Sequence, residues 1–232
     1  MIALFFVIYR GPGISLKKEF RDPESFFDKC LKDRIEEKLE VLIPQGGFVN
    51  PADYKIYNDT KITYLCKNIN YYDSCVMQYP RYLKSVEEEI EREMQEEAEN
   101  CFISLEEELD KKNYEHSGGD VSVDASLGTG KIDLVVYRDY TITRDDDVRN
   151  FDSFKTIIKS SLYNLAWIAN EIASSEARFC YFEYVGFDIL YNDFDVRKWV
   201  MSDSTKIYTI KDKNTGEEMN IAVRGCVIPA GF

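Results

Sequence analysis

The sequence DSFKTIIKSSLYNLAWIANEIASS, residues Asp152–Ser175, carries the clearest periodic pattern in this chain of 232 residues. Its apolar side chains recur at steps of three and four residues, which places them on one face of an α-helix. They are Phe154, Ile157, Ile158, Leu162, Leu165, Ile168, Ala169 and Ile172. Asp152 or Ser153 can cap the first turn. The pattern predicts a helix over the whole stretch, with a broad face that neighbouring strands cover.

The residues before this stretch predict a strand, two further helices and a hairpin. Ile2–Tyr9 (IALFFVIY) has the composition of a buried first strand, and a Gly-Pro-Gly turn follows it. Residues 22–44 predict a helix that starts at an Asp-Pro pair and ends at a proline. Asp53–Lys67 predicts a hairpin. A long acidic helix begins near Ser85, where a Ser-x-x-Glu capping pattern precedes the apolar stripe.

The other apolar runs predict strands. These are Asp120–Ala125, Lys131–Tyr137, Tyr140–Arg144, a long strand Ala177–Tyr191, and a final hairpin of Lys206–Lys211 and Met219–Val227. Tyr114–Asp120 is predicted to be a loop, and a tight turn is predicted at Arg138-Asp139. The expected fold is a single α+β domain over residues 1–232. It has a mostly antiparallel sheet of about six to eight strands covered by three main helices, one of them long and acidic.

The net charge of −13 is concentrated in one segment. Between Ser85 and Asp110 there are eleven Glu, one Asp and a single cation, Arg92. A direct nucleic-acid binder or an anionic-membrane binder needs cations to neutralise phosphate, so both classes are disfavoured. The simplest interpretation is a solvated helix face, and a basic protein partner is compatible with it.

The cysteines have no metal-binding pattern. They form no CxxC pair, and no histidine lies near them in sequence, which disfavours a zinc site. They are Cys30, Cys66, Cys75, Cys101, Cys180 and Cys226. In a chain long enough to build its own core, scattered cysteines predict free buried thiols in a reducing compartment. With no targeting segment recognised in the sequence, a cytoplasmic protein without a cofactor or a membrane association is expected.

Two short motifs offer weak catalytic signals. Gly128–Lys131 (GTGK) is similar to the end of a phosphate-binding loop, but it lacks the preceding Gly and the following Ser or Thr, and it leads into a strand. A hairpin turn is the better interpretation. His116 is the only histidine, so every imidazole-dependent mechanism depends on it. Its polar, Gly-rich surroundings predict an exposed loop residue.

Acidic residues give the alternative of a metal-dependent hydrolase. Asp133 is predicted to lie on a strand, as the metal-binding Asp of metal-dependent nucleases does. Those nucleases also need a Glu-x-Lys motif on the next strand, and this motif is missing here. Asp193 and Asp195 form a DxD pair. Glu183 is predicted to share a strand face with apolar side chains, where burial would raise the pKa of its carboxyl. These four residues are the candidates for a metal site, and none completes a recognised pattern.

Aromatic residues and the apolar C-terminal stretch favour a protein-interaction role. Tyr163 and Trp167 are one helical turn apart, beside the apolar stripe, and can anchor a protein interface. Gly225–Phe232 is apolar to its last residue and predicts a docked strand or an inserted segment. The first hypothesis is therefore a non-enzymatic interaction or assembly protein that binds a protein partner or itself. A structural or accessory protein of a virus or mobile element is one form of it.

The acidic helix gives a second hypothesis. Its carboxylates imitate a nucleic acid and block a basic protein, with Glu89, Glu96 and Glu99 as the contact residues. The interaction protein, the acidic inhibitor and the metal-dependent hydrolase belong to three different functional classes.

Overall fold

The computed structural model describes residues 22–227, which form four helices and ten strands. The helices are α1 (Pro23–Leu42), α2 (Tyr82–Asp110), α3 (Leu162–Phe179) and α4 (Tyr184–Leu190). The strands are β1 (Tyr54–Tyr57), β2 (Thr60–Lys67), β3 (Val76–Met77), β4 (Glu115–Gly118), β5 (Ser122–Gly128), β6 (Lys131–Arg144), β7 (Asp147–Lys159), β8 (Phe194–Val200), β9 (Lys206–Asp212) and β10 (Glu218–Arg224). Within the described range, no helix is long and apolar enough to cross a membrane.

The strands form two separate sheets. The six-stranded sheet has the order β1-β2-β10-β9-β8, with β3 beside β2. In the four-stranded sheet, β6 pairs with β7 along one side and with β5 and β4 along the other. The ladder between β2 and β10 is parallel, and the other ladders are antiparallel. The α+β class and the mostly antiparallel pairing are therefore confirmed, although the strands divide into two sheets.

Helix α3 lies between the two sheets and contacts strands of both. Nearly half of its residues are buried, Leu162, Leu165, Ala166, Ile168, Ala169, Ile172, Ala173 and Glu176. A helix that is apolar around most of its circumference belongs in the interior. Helices α1 and α2 lie against β7 and β5 of the four-stranded sheet, and one hydrophobic cluster joins all three helices to both sheets.

The helix predicted over Asp152–Ser175 is wrong in its first third. Residues up to Lys159 belong to β7, and the helix begins only at Leu162. Phe154, Thr156 and Ile158 are buried in alternation, whereas the Ile157 side chain is 57% exposed. The sequence FKTIIK fits both a period of 3.6 and a period of two. Its β-branched side chains and the long partner strand β6 favour the strand.

Three other predicted elements also differ from the structure. The predicted strand Ala177–Tyr191 is the end of α3, a left-handed residue at Cys180 (φ 57°) and helix α4. The turn at Arg138-Asp139 is a bulge inside the continuous strand β6. The loop Tyr114–Asp120 contains β4. The helix at residues 23–42, both hairpins and the turn at residues 128–131 agree with the sequence prediction.

The prediction of free thiols is wrong, because all six cysteines are paired. Cys30–Cys101 joins α1 to α2, Cys66–Cys75 joins β2 to the segment before β3, and Cys180–Cys226 joins the end of α3 to the segment after β10. The Cα–Cα distances are 5.9, 5.3 and 5.8 Å. The predicted first strand, Ile2–Tyr9, lies outside the described residues, as do residues 228–232 of the C-terminal stretch.

Candidate functional site

Two of the acidic residues considered for metal binding pair with neighbouring cations. A Lys131 Nζ lies 2.7 Å from Asp133 Oδ2, and Arg197 Nη2 lies 2.7 Å from Asp195 Oδ2. Asp193 is exposed at the start of β8. In the part of the chain that the structure describes, no three His, Cys, Asp or Glu side chains converge as metal ligands. The DxD pair is therefore a strand start with a local ion pair.

Glu183 is not buried on a strand face, as the sequence predicted, but caps helix α4. Its Oε1 accepts a hydrogen bond from the Gly186 N–H at 3.2 Å, and its Oε2 accepts one from the Tyr181 hydroxyl at 2.5 Å. The Tyr181 hydrogen bond first, and then the Gly186 N–H, lower the pKa of the Glu183 carboxyl. This shift is opposite to the one expected for a buried catalytic acid.

His116 lies on β4 and faces two carboxylates of α2. Its Nε2 is 3.2 Å from Asp110 Oδ1, and its Nδ1 is 4.0 Å from Glu106 Oε1. Arg138 from the β6 bulge also donates to Glu106, at 3.1 Å, and stacks over the Phe102 ring. The two side chains that pair with the His116 ring are carboxylates. The group therefore joins β4 and β6 to α2 and contains no activated nucleophile.

The acidic helix α2 covers the free edge of β5. The Leu127 N–H donates to Glu87 Oε1 at 2.9 Å, and the Ala125 N–H donates to Glu91 Oε1 at 3.3 Å. One turn further along α2, Gln95 donates to the Val121 carbonyl at 2.9 Å. Side chains four residues apart on α2 thus form hydrogen bonds with backbone groups of β5 and its N-terminal flank, which would otherwise be an unpaired strand edge. Glu87 and Glu91 therefore hold α2 against β5, a role that the acidic composition alone does not indicate.

Other carboxylates of α2 pair with α1. Lys38 Nζ is 3.2 Å from Glu97 and 3.6 Å from Glu93, and Arg34 Nε is 3.5 Å from Glu97. Much of the negative charge of α2 is therefore engaged inside this molecule.

Of the three glutamates proposed to contact a basic partner, Glu89 is buried. Its side chain is 2% exposed, accepts the Val49 N–H at 2.9 Å and pairs with Arg92. It fixes the loop between α1 and β1, so its carboxylate is not on a contact surface. Glu96 and Glu99 are exposed, and Glu99 accepts a hydrogen bond from Gln95.

Tyr163 and Trp167, the proposed interface anchors, are both partly buried on α3. The Trp167 ring lies 5.7 Å from the Tyr191 ring and 6.5 Å from the Phe187 ring, centroid to centroid. Trp167 therefore packs against helix α4 through Phe187 and against its C-terminal flank through Tyr191.

A buried polar cluster joins α3 to β9. Glu176, which is fully buried, accepts hydrogen bonds from the Tyr208 hydroxyl and from Lys206 Nζ, and Lys206 also donates to the Cys180 carbonyl at 2.9 Å. Burial, and then the Glu176 contact, raise the pKa of Tyr208. Because each charge has its partner, the cluster is a structural link. The sequence signal for this cluster was the position of Glu176, an acidic residue four residues after Ile172 on the apolar face of the helix.

Helix α4 and its flanks expose a group of large apolar side chains, here named the α4 patch. None of the seven residues of α4 is buried. The patch members and their exposed fractions are Phe179 72%, Tyr181 48%, Val185 55%, Ile189 76%, Leu190 79% and Tyr191 44%. Exposed apolar clusters of this kind mark contact surfaces in soluble proteins. The sequence did not predict the patch, because the apolar run Ala177–Tyr191 indicated a long strand.

Comparisons of the chain with protein-family models, with curated proteins and with solved structures find no match.

Proposed function

We propose that this protein is a non-enzymatic assembly protein that associates with a second copy of itself through the α4 patch. The observation that carries the proposal is a helix with no buried residue and with two side chains, Ile189 and Leu190, more than three-quarters exposed. Burying a side chain of this size stabilises a complex by about 1.5–3 kcal/mol. We expect the exposed apolar side chains of α4 to be covered by the same patch of a second copy.

The charge around the patch supports self-association. In a symmetric dimer the same patch meets itself, so a strongly charged patch would repel its copy. Residues 178–200 contain four acidic and three basic side chains, in a chain whose net charge is −13. Three of the acids already have partners, since Glu183 caps α4, Asp188 accepts the Val196 N–H at 3.0 Å and Asp195 pairs with Arg197. This near-neutral region is where two acidic molecules can meet at low electrostatic cost.

The arrangement of the candidate catalytic groups supports a non-enzymatic role. Asp133 and Asp195 each pair with a neighbouring cation, Glu183 caps α4, and His116 faces carboxylates. The alternative of a nucleic-acid mimic retains only Glu96 and Glu99 of its three contact residues, because Glu89 is buried.

The disulfides bear on where the protein acts. Three disulfides that use every cysteine of the chain are rare in a reducing cytosol and common in oxidising compartments. We therefore place the assembly in an oxidising compartment, in contrast with the cytoplasmic location expected from the sequence.

Light scattering after size-exclusion chromatography tests the assembly over a concentration range of about a hundredfold. The wild-type protein should give the mass of a dimer at the upper end. Ile189→Asp combined with Leu190→Asp should give a monomer, because two charges would have to be buried at the contact.

Two control variants place the same change on other exposed apolar residues. Ile103→Asp on α2 and Val148→Asp on β7 replace side chains that are 54% and 55% exposed outside the patch. Both should remain dimeric, and circular dichroism should show an unchanged fold for all variants. A wild-type protein that is monomeric at every concentration, or a double variant that still dimerises, would contradict the proposal.

A further inference from the structure

The six-stranded sheet has a second surface, on the side that faces away from α3, and this surface contains a groove. The floor is formed by β9 and β10, one wall by the turn between β1 and β2, and the other wall by β8. The cavity has a volume of about 300 Å³. Ligand pockets in proteins span roughly 300–1,000 Å³, so the groove suits a small ligand.

The strand register explains why the surface is concave. Arg197 of β8, Thr209 of β9 and Asn220 of β10 stand opposite one another, so their side chains form one row across the sheet. The next row on the same face contains Trp199, Ile207 and Ala222. Across β9 and β10 the side chains of Thr209, Asn220 and Ala222 are smaller than those of Arg197 and Trp199 on β8.

The polar groups of the floor are held in place. The Thr209 hydroxyl donates to Asn220 Oδ1 at 2.6 Å, and Asn220 Nδ2 donates to the Pro44 carbonyl at 3.2 Å. These bonds fix the orientation of the amide and leave lone pairs of both oxygens for a ligand. Groups fixed in advance lose little entropy when a ligand binds.

Aromatic rings border the groove on both sides. Trp199 on β8 is 63% exposed, and Tyr57 at the end of β1 lines the opposite wall. An indole ring with this exposure, beside hydroxyl and amide groups, presents a flat apolar surface next to hydrogen-bonding groups.

The charges at the rim disfavour an ionic ligand. Two cations, Arg197 and Lys198, and one acid, Glu218, line the groove. Arg197 already pairs with Asp195 at 2.7 Å, and Lys198 Nζ lies 5.0 Å from the centroids of the Tyr181 and Tyr184 rings. A phosphorylated ligand would meet a guanidinium and an ammonium that already have partners, in a strongly acidic protein. The lining suits a neutral ligand that has one apolar face and several hydroxyl groups.

From these observations we propose that the groove binds a neutral carbohydrate, with one sugar ring stacked on Trp199 and its hydroxyls bonded to Thr209, Asn220 and the rim side chains. The site lies on β8–β10 and the turn between β1 and β2, and it shares no residue with the α4 patch. The result of its test therefore does not depend on self-association. Trp199, Thr209 and Asn220 come from three strands, and only their register brings them into one site.

Fluorescence titration tests the site, because the chain contains only two tryptophans, Trp167 and Trp199. The wild-type protein is first screened on an array of neutral glycans that includes glucose, mannose and N-acetylglucosamine oligomers. The glycan with the highest signal is then titrated in solution. Binding should shift the emission of Trp199 to shorter wavelength and protect it from acrylamide, whereas the partly buried Trp167 should not respond.

The variants separate stacking from general surface effects. Trp199→Ala should weaken glycan binding by about tenfold or more, Thr209→Val should weaken it less, and the two should unfold at the wild-type temperature. Tyr137→Ala, which removes another half-exposed aromatic ring, should bind as the wild type does. Absence of binding to every neutral glycan, wild-type affinity in Trp199→Ala, or saturable binding of adenosine or a short peptide in place of glycans would overturn the proposal.

Discussion

At the scale of single residues, the partners of each carboxylate decide its role. Glu89 and Glu176 lie in or beside apolar stripes of their helices, where an ionised group is costly to bury without compensation. Each accepts hydrogen bonds from a segment that is distant in sequence. Glu89 accepts one from the Val49 N–H, and Glu176 accepts one each from Lys206 and Tyr208. A buried acid in this protein therefore marks a connection between segments.

Glu89→Ala should destabilise the protein by about 1–3 kcal/mol, because it leaves the partly buried Val49 N–H without an acceptor. Glu89→Gln, which keeps an acceptor oxygen, should cost less. Urea unfolding measures both changes, with the exposed Glu96→Ala as control and an expected effect within about 0.5 kcal/mol. An equal effect of Glu89→Ala and Glu96→Ala would show that the Val49 contact contributes nothing.

At the scale of elements, the contact of α2 with β5 shows how a strand edge is protected by a helix. Leu127 and Ala125 donate to Glu87 and Glu91, so the edge of β5 is not available to another strand. The partners of these carboxylates also explain why α2 is stable although it contains so many like charges. Glu87 and Glu91 accept hydrogen bonds from β5, and Glu93 and Glu97 pair with cations of α1.

Loss of these acceptors should expose the strand edge. In the double variant Glu87→Ala and Glu91→Ala, the Ala125 and Leu127 amides should exchange hydrogen about fivefold faster or more, since each loses a hydrogen bond worth about 1 kcal/mol. Glu87→Gln with Glu91→Gln should keep the protection. Hydrogen exchange followed by NMR gives both rates, and unchanged exchange in the alanine variant would contradict the assignment.

Helix α4 should respond to acid through its cap. The pKa of Glu183 is lowered in the folded protein, so its contribution to the first turn is complete above the ordinary value of 4.5 and is lost as the pH falls through the lower folded value. An NMR titration of the carboxyl carbon should therefore give a midpoint below 4.5. In Tyr181→Phe the midpoint should rise, and a wild-type midpoint at or above 4.5 would refute the cap.

The sequence predicted the elements that have a single dominant signal and failed where two signals compete. Helix α1 and both hairpins have clear end signals, and they form as predicted. Residues 152–160 satisfy two periods, and the choice depends on β6, a partner that the local pattern does not contain. The α4 patch was missed for the same reason, since a run of aromatic and β-branched residues resembles a strand.

The groove on the six-stranded sheet was beyond prediction for a different reason. Arg197, Thr209 and Asn220 share a row only because of the register among β8, β9 and β10. The disulfide pairs also depend on distances that exist only in the fold, because the spacing of cysteines in sequence does not determine which of them meet.

At the scale of the whole molecule, the disulfides join segments that are distant in sequence. Cys30–Cys101 and Cys180–Cys226 have sequence separations of 71 and 46 residues, whereas Cys66–Cys75 spans nine. In the chain-entropy model, closing the longest loop stabilises the fold by about 4 kcal/mol and closing the shortest by about 2.5 kcal/mol. The long-range pairs therefore constrain the unfolded chain most.

Cys30→Ser with Cys101→Ser should lower the free energy of unfolding by more than Cys66→Ser with Cys75→Ser does. Guanidinium unfolding of the two double variants measures the difference, and an equal or reversed order would contradict the loop-length argument. Alkylation of the unfolded wild-type protein without reductant, followed by mass spectrometry, should label no cysteine. Labelled cysteines would contradict the pairing.

The parallel ladder between β2 and β10 has a consequence for how the chain is made. The four-stranded sheet consists of segments that follow one another, so it can form from local contacts. In the other sheet, residues 64–67 lie beside residues 222–224. On the ribosome, β2 is therefore synthesised long before its neighbour exists, and its open side must be kept from wrong partners until translation has passed β10.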